Sequence, residues 1–427
     1  MMLHPPASLS KIDMKARYTK LRLVFGWAFV FTCLLPHLSH GQTTPPFKSS
    51  DTNYQAIPLS TYLTELNEKN HSLKVKKINS DSAISIAKQA GIPNLSPIVT
   101  YARGSIYTQA PYAGYTNPSS NTLGATVTIE GWGKRSAREA YAQAEANRQL
   151  SEMVVEARSL ETQAIFNYID ALRTKLLWQS YQLALDKLST IKSPSITAQK
   201  AELQAAQKVL ANDLKYYSYG LLGLLGTQDH QLPLPLGTLK IEPQKLKVEE
   251  LVEYAQNNRA ELISNKALIE SANANLELVK AGKNPDFLPG IYYNETPPYT
   301  SSGVGYGTQK SFSLLLSIPL GNGMLNNSDL IAASNSVTEQ EVNLIAVKSK
   351  IVTEINQTYL QYQSARERLE TSTNAYNQAK LMQNSGLQGL LRFRDAEYEL
   401  IDARTVHAKT LILLQRLSGN FEVPNLH

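Results

Sequence analysis

The sequence predicts a mainly α-helical fold with a β-barrel portion. It is built as two structural repeats, each a strand pair plus a long helical hairpin. Three observations carry this reading. The segment 59–226 returns, weakly but in order, as 248–419: Gly91-Ile92-Pro93-Asn94 answers Gly282-Lys283-Asn284-Pro285, Gly131-Trp132-Gly133 answers Gly321-Asn322-Gly323, and Leu225-Gly226 answers Ser418-Gly419. An internal repeat of this kind decides the architecture before any local signal does. Neither Gly nor Pro occurs over 134–193 or over 324–385, so each stretch can run as one helix of up to about 90 Å. Between the helices, two segments alternate apolar and small polar residues.

The elements follow in order. Residues 1–41 read as a secretory signal with Met14 as the start. Lys15, Arg17, Lys20 and Arg22 precede an apolar run over 23–35, and Ser39-His40-Gly41 offers small residues for cleavage. That run is short of the roughly 20 residues a membrane-spanning helix needs. Cys33 is the only cysteine and lies inside it. The residues before Cys33 fit a lipidation site poorly, so the mature chain is expected to carry no thiol. Residues 42–58 are polar and Pro-containing, and read as a flexible lead.

Repeat 1 spans 59–226. It opens with a helix to residue 90, broken near Asn70-His71, followed by strands at about 97–108 and 122–130 and a long hairpin over 134–225. Residues 227–247 form a linker. Repeat 2 spans 248–419, with a helix broken near Asn257-Asn258, strands at about 287–295 and 310–319, and a hairpin over 324–418. Residues 420–427 are a tail. In the first long helix Leu150, Ala157, Ala164 and Ala171 recur every seven, with Met153 and Leu160 between them. That is a seam of small side chains permitting close helix approach. Leu344, Ile351, Ile355, Tyr359 and Tyr362 continue a similar stripe in the second.

The strands carry the membrane signal. Leu123, Ala125, Val127 and Ile129 alternate with Thr126, Thr128 and Glu130, and Phe312, Leu314, Leu316 and Ile318 alternate with Ser313 and Ser317. The first set of each is expected to face lipid and the second the lumen. A half-buried strand of a soluble sandwich has the same period. Tyr101, Tyr107, Tyr292 and Tyr293 sit on the partner strands, as aromatic girdles require. The loops 109–121 and 296–308 are rich in Gly, Pro, Tyr and Ser. Four strands cannot close a barrel in lipid, so strands in a membrane would need other copies of the chain.

Charge and chemistry exclude other classes. The net charge is +6, with 42 basic and 36 acidic residues; without residues 1–41 it falls to +2. No electrostatic footprint for nucleic acid is left. His71, His230, His407 and His427 are scattered, without metal-ligand spacing. No nucleophile–base pair or phosphate-cradling loop occurs, and Gly303, Gly305 and Gly307 lie in a Tyr/Ser loop rather than between a strand and a helix. No enzyme activity, cofactor or metal site is expected.

This organisation resembles the TolC-type outer-membrane efflux family over nearly the whole mature chain. The resemblance rests on Asn70 with Leu73 and Asn258 with Leu262 in the opening helices, and on Asn284-Pro285-Asp286-Phe287-Leu288-Pro289 leading into a strand. It rests also on Ile318-Pro319-Leu320-Gly321-Asn322-Gly323 leaving one, and on Gly386 through Asp395-Ala396 to Leu400 and Leu417-Ser418-Gly419 in the return helix. In repeat 1 Glu130 replaces the Pro. The run Ile129-Glu130-Gly131 with Lys134-Arg135 looks like the heavy-metal cation (CzcC-type) branch.

The resemblance implies a homotrimer whose 12-strand outer-membrane barrel continues into a periplasmic α-helical tunnel. The tunnel would dock a periplasmic adaptor protein and an inner-membrane pump, as a passive duct without cofactor. It implies docking tips at Ser193, Pro194, Ser385, Gly386 and Leu387. Gly386 also reads as a helix C-cap. No acidic ring precedes Gly386, and Asn374, Asn377, Gln383 and Asn384 point to a polar gate at the periplasmic mouth. Asp395 is a candidate interhelix partner, and Glu130 reads also as a solvated rim carboxylate. The alternative function is a periplasmic coiled-coil scaffold without a membrane barrel.

Overall fold

The computed structural model describes residues 53–105, 119–189, 196–227, 231–301, 303–319, 327–424 and 426. The expected signal with Cys33, most of loop 109–121, the tip residues Ser193 and Pro194, and Gly321-Asn322-Gly323 lie outside them.

Strand β1 (Tyr54–Ile57) precedes repeat 1, which begins with helices α1 (Leu59–Lys69) and α2 (His71–Ala90). The break between the helices is a cap: Asn70 Oδ1 accepts from the Leu73 amide at 3.1 Å, the N-cap bond that Asn is chosen for. Strands β2 (Ile98–Ser105) and β3 (Ser119–Thr126) follow, then the 55-residue α3 (Lys134–Leu188) and its return helix α4 (Ile196–Leu225). The linker carries strand β4 (Leu232–Pro235).

Repeat 2 repeats the plan with α5 (Val248–Asn258), α6 (Ala260–Gly282), β5 (Leu288–Thr296), β6 (Tyr299–Ser301), β7 (Val304–Tyr306), β8 (Gln309–Ser317), the 55-residue α7 (Ser328–Met382) and α8 (Leu387–Ser418). Here the break differs from expectation. Arg259 occupies the N-cap position, and Asn258 donates from its side chain to the Tyr254 carbonyl. Leu73 and Leu262 are both buried, as equivalent anchors would be.

The two long helices align through Tyr168 and Tyr362, an offset of 194 residues. Each tyrosine hydroxyl ties its helix to the linker 227–247, which follows α3 and precedes α7. Tyr168 Oη lies 2.8 Å from the Leu236 amide nitrogen and from the Ile57 carbonyl. Tyr362 Oη lies 2.8 Å from both the amide nitrogen and the carbonyl of Gln244. The return helices end alike. Gly226 (φ +69) packs on the His71 ring, and Gly419 (φ +92) packs 3.0 Å from the Asn258 backbone, counted from the Cβ that Gly lacks. Left-handed φ and close approach together require Gly there.

The helices form a wall. α3 packs against α2, α4, α6 and α8; α7 packs against α5, α6 and α8. Around the Tyr168 level Tyr62, Leu66, Ile165, Ile169, Leu172, Leu214 and Leu221 are fully buried. Ile351, Ile355, Tyr362, Leu411 and Leu414 form the corresponding core of repeat 2. Each such aliphatic chain contributes roughly 1.5–3 kcal/mol of burial. In the small-residue seam Ala164 and Ala171 are fully buried, while Leu150, Met153, Ala157 and Leu160 are half-buried.

Three expectations are corrected. The lead is not wholly irregular: β1 pairs in parallel with β4, Tyr54 opposite Leu232 through Ile57 opposite Pro235. The tail is fixed as well, since Leu426 is buried and its carbonyl accepts from the Thr238 amide at 2.8 Å. Strand 122–130 is displaced: β3 runs over 119–126, and only a bridge from Ile129 to Phe287 continues the pairing.

Candidate functional site

The four strands β2, β3, β5 and β8 form one antiparallel sheet in the order β2-β3-β5-β8. Directly opposed residues share a face, so the register fixes both faces row by row. One face carries four apolar rows. They are Tyr101, Leu123, Tyr293, Phe312; then Val99, Ala125, Ile291, Leu314; then Val127, Pro289, Leu316; then Ile129, Phe287, Ile318. These rows span about 20 Å along the strand. The other face carries Thr100, Gly124, Tyr292 and Ser313 in one row and Ala102, Thr122, Asn294 and Ser311 in the next. Gly124 is required there, because the Tyr292 ring lies where its Cβ would be.

The expected lipid-facing set therefore shares one face. Leu123, Ala125, Ile129, Phe312, Leu314, Leu316 and Ile318 are exposed on it and Val127 is half-buried; Leu314 reaches 85% exposure. Thr126, Thr128, Ser313 and Ser317 lie on the opposite face. Among the described residues, both outer strands, β2 and β8, have an unpaired edge.

Glu130 departs from its expected role. It lies past the end of β3 and is clamped by Arg138, which also donates to the carbonyls of Ala90 and Ile92, each at 3.0 Å. The hydrogen bond from Arg138 holds the Glu130 carboxyl below its ordinary range. Beside it Asp286 accepts from the Gly131 amide and from Lys134 Nζ, both at 2.8 Å, and the Lys134 bond lowers its pKa likewise. Trp132 packs edge-on against Phe287. Glu130 is thus an ion-paired carboxylate. It fixes the turn from strand to long helix.

At the far end of the helices, Gly386 (φ +91) is the N-cap of α8 rather than a C-cap, and Gln383 caps α7. Leu387 packs beside the core of Ala184, Leu185, Leu188 and Leu390, joining the repeats near the tip. Ser385 Oγ donates to the Met382 carbonyl at 2.6 Å. Among the expected gate residues, Asn377 and Asn384 are exposed, as is Asn374. Gln383 accepts from Lys187 at 2.9 Å. Asp395 pairs with its neighbour Arg394, not across helices.

Sequence reading missed the polar contacts between repeats. Asp402 takes Arg173 of α3 at 2.8 Å, Lys409 reaches Asp170 at 2.5 Å, and Ser180 donates to Glu397 at 2.5 Å. These partners are more than 200 residues apart and leave no local signal. The charged residues on otherwise small-residue helices were the only hint.

No metal-binding cluster and no helix apolar enough to cross a membrane occurs among the described residues. Residues 251–415 match the outer membrane efflux protein family. That match lies within the second repeat. No curated protein sequence matches the chain. Solved structures match its fold. VceC from Vibrio cholerae is 15% identical with a TM-score of 0.61, covering 84% of this chain and 96% of that one. The Campylobacter jejuni CmeC outer membrane channel is 12% identical with a TM-score of 0.60, covering 92% and 94%. The Neisseria gonorrhoeae MtrE outer membrane channel is 17% identical with a TM-score of 0.55, covering 84% and 88%.

Proposed function

We propose that the chain is the outer-membrane channel of a tripartite efflux or export system: a homotrimeric passive duct. It would carry substrate from an inner-membrane pump, past a periplasmic adaptor, to the exterior. The observation that carries the reading is the four-strand sheet with an apolar face and two open edges. In hydrocarbon every unpaired backbone group is costly, so such a sheet must be closed by others. Three copies supply 12 strands, the number the family resemblance implies.

The helix wall supports the same closure. α3 has partners from the other repeat, α6 and α8, whereas α7 lacks the counterparts α2 and α4 within its chain. α7 instead exposes Ile331, Val342, Ile345, Leu360 and Leu381, and α4 exposes Val209, Tyr216 and Tyr219. A neighbouring copy would cover both. The tips around Ser193, Pro194 and Ser385 to Leu387 are the proposed adaptor contact, and the mouth near Asn377 and Asn384 the proposed gate. Cargo selection belongs to the pump. The residues that resemble the heavy-metal branch, Glu130 and Lys134, are engaged by Arg138 and Asp286 and carry no argument about cargo.

Single cysteines at Ser119 and Ser302 test the reading. Under the channel reading an impermeant maleimide labels both on intact cells. Labelling only after the outer membrane is broken would favour a periplasmic scaffold and sink the duct.

A further inference from the structure

The apolar face of the sheet stops abruptly. The row immediately beyond Tyr101, Leu123, Tyr293 and Phe312, toward the loops, is Arg103, Asn121, Glu295 and Lys310. We infer that Arg103 and Lys310 form a binding site for the phosphate groups of an outer-leaflet membrane lipid. The inference rests on the barrel reading above.

Depth is the first argument. The long helices leave the sheet from the end at residues 126 and 317, so the opposite end, where Arg103 and Lys310 lie, is the outward one. Tyr101, Tyr293 and Phe312 form an aromatic row, and aromatic rows mark the boundary between hydrocarbon and headgroups. The cationic row lies two residues further out, about 7 Å along a strand and roughly 5 Å in depth at a tilt of about 40°. That is where a lipid headgroup begins.

Charge is the second. Arg103 and Lys310 are exposed on the lipid side, and neither joins an ion pair among the described residues. Glu295 stands opposite Lys310 in the register, yet its carboxylate accepts from the Tyr293 hydroxyl at 3.3 Å instead. Two cations without an ion pair among the described residues remain at headgroup depth. Guanidinium and ammonium groups form their strongest hydrogen bonds with such anionic oxygens. They also sit on the two outer strands, β2 and β8. Ring closure between copies brings those strands together at every seam, about 4.8 Å apart. A phosphate there would bridge cations of two neighbouring copies.

The test uses the full mature protein purified in detergent. Native mass spectrometry reads the retention of lipid A and of its dephosphorylated form by the wild type, by Arg103→Ser with Lys310→Ser, and by Glu295→Gln. Insertion of each into phosphatidylcholine vesicles is read in parallel. The expected result is at least tenfold weaker lipid A retention by the double variant, with insertion unchanged. Wild-type retention should fall as much when the phosphates are removed, and Glu295→Gln should retain more. Equal retention by wild type and double variant, or retention indifferent to the phosphates, overturns the site while leaving the channel reading intact. Failure of the wild type to insert at all overturns the channel reading and the site with it.

Discussion

The two long helices have the same length, 55 residues, and different surroundings. Fourteen residues of α3 are buried against eight of α7. The cause is position rather than composition. α3 stands inside the wall with a helix of the other repeat on its flank, and α7 stands at the edge. The difference teaches where the molecule is incomplete. At the offset of 194, Leu360 occupies the place of Phe166, whose ring lies 5.7 Å from Lys409 Nζ. Leu381 occupies that of Lys187, which lies over the Phe393 ring. On the return helices, aligned through Gly226 and Gly419, Val209 and Tyr216 answer Asp402 and Lys409, the very residues that reach α3. The contact that α3 makes through charge inside the chain is thus offered by α7 and α4 as exposed apolar surface. In the proposed ring, Leu360 of one copy meets Tyr216 of the next.

The largest effect should come from charging that surface. Leu360→Asp with Tyr216→Asp should leave the helical circular dichroism of the chain unchanged and drop its light-scattering mass in detergent from three chains to one. Carboxylates cannot be buried there without partners. An unchanged trimer would show that α7 lies elsewhere in the ring.

The paired tyrosines sharpen the comparison within one chain. Tyr168 is fully buried, packs on Tyr62, and joins α3 to β1 and to Leu236 just past β4. Tyr168→Ala should cost about 3–5 kcal/mol in denaturant unfolding. Tyr362 is also buried but ties α7 to Gln244 alone. Its loss should cost about 1–2 kcal/mol less, because its hydroxyl holds a single residue where that of Tyr168 joins two separate segments. Equal costs would mean that the tie of Tyr168 to β1 adds nothing.

A smaller effect separates the strand–helix junctions. Glu130 and Asp286 lie beyond the strand ends, and their carboxyls are held below ordinary values by Arg138 and Lys134. Depressed pKa values add stability that is complete above the unfolded values, near pH 4, and is lost as pH falls through the folded ones. The repeat 1 junction should therefore loosen below about pH 4. Proteolytic nicking near residue 130 should appear there first, and Glu130→Gln should show it already at pH 7. Repeat 2 has Pro319 at the place of Glu130 and should show no such step.

Much of this was legible in the sequence, for local reasons. The Gly- and Pro-free stretches give α3 and α7, the alternation gives the faces of β3 and β8, and Asn70 announces its own cap. What stayed hidden depends on distant partners. β1 is four residues whose stability comes from Tyr168 and β4, over 100 residues away, so 42–58 reads as a lead. Arg259 takes the cap position in repeat 2 because Glu261 and Glu354 hold its guanidinium, which no N-cap preference foretells. Glu130 reads as a strand residue until Arg138, about one turn into α3, claims it.

The most direct test of the ring is a disulfide between copies. Leu360→Cys and Tyr216→Cys, in a chain whose single native cysteine, Cys33, is replaced by Ser, lie on helices that do not pack together within one chain. Mild oxidation in the membrane should give covalent dimers and trimers on a non-reducing gel, collapsing to monomer on reduction. Exclusive monomer, with both thiols still free, would contradict the proposal that α7 and α4 of neighbouring copies complete the wall.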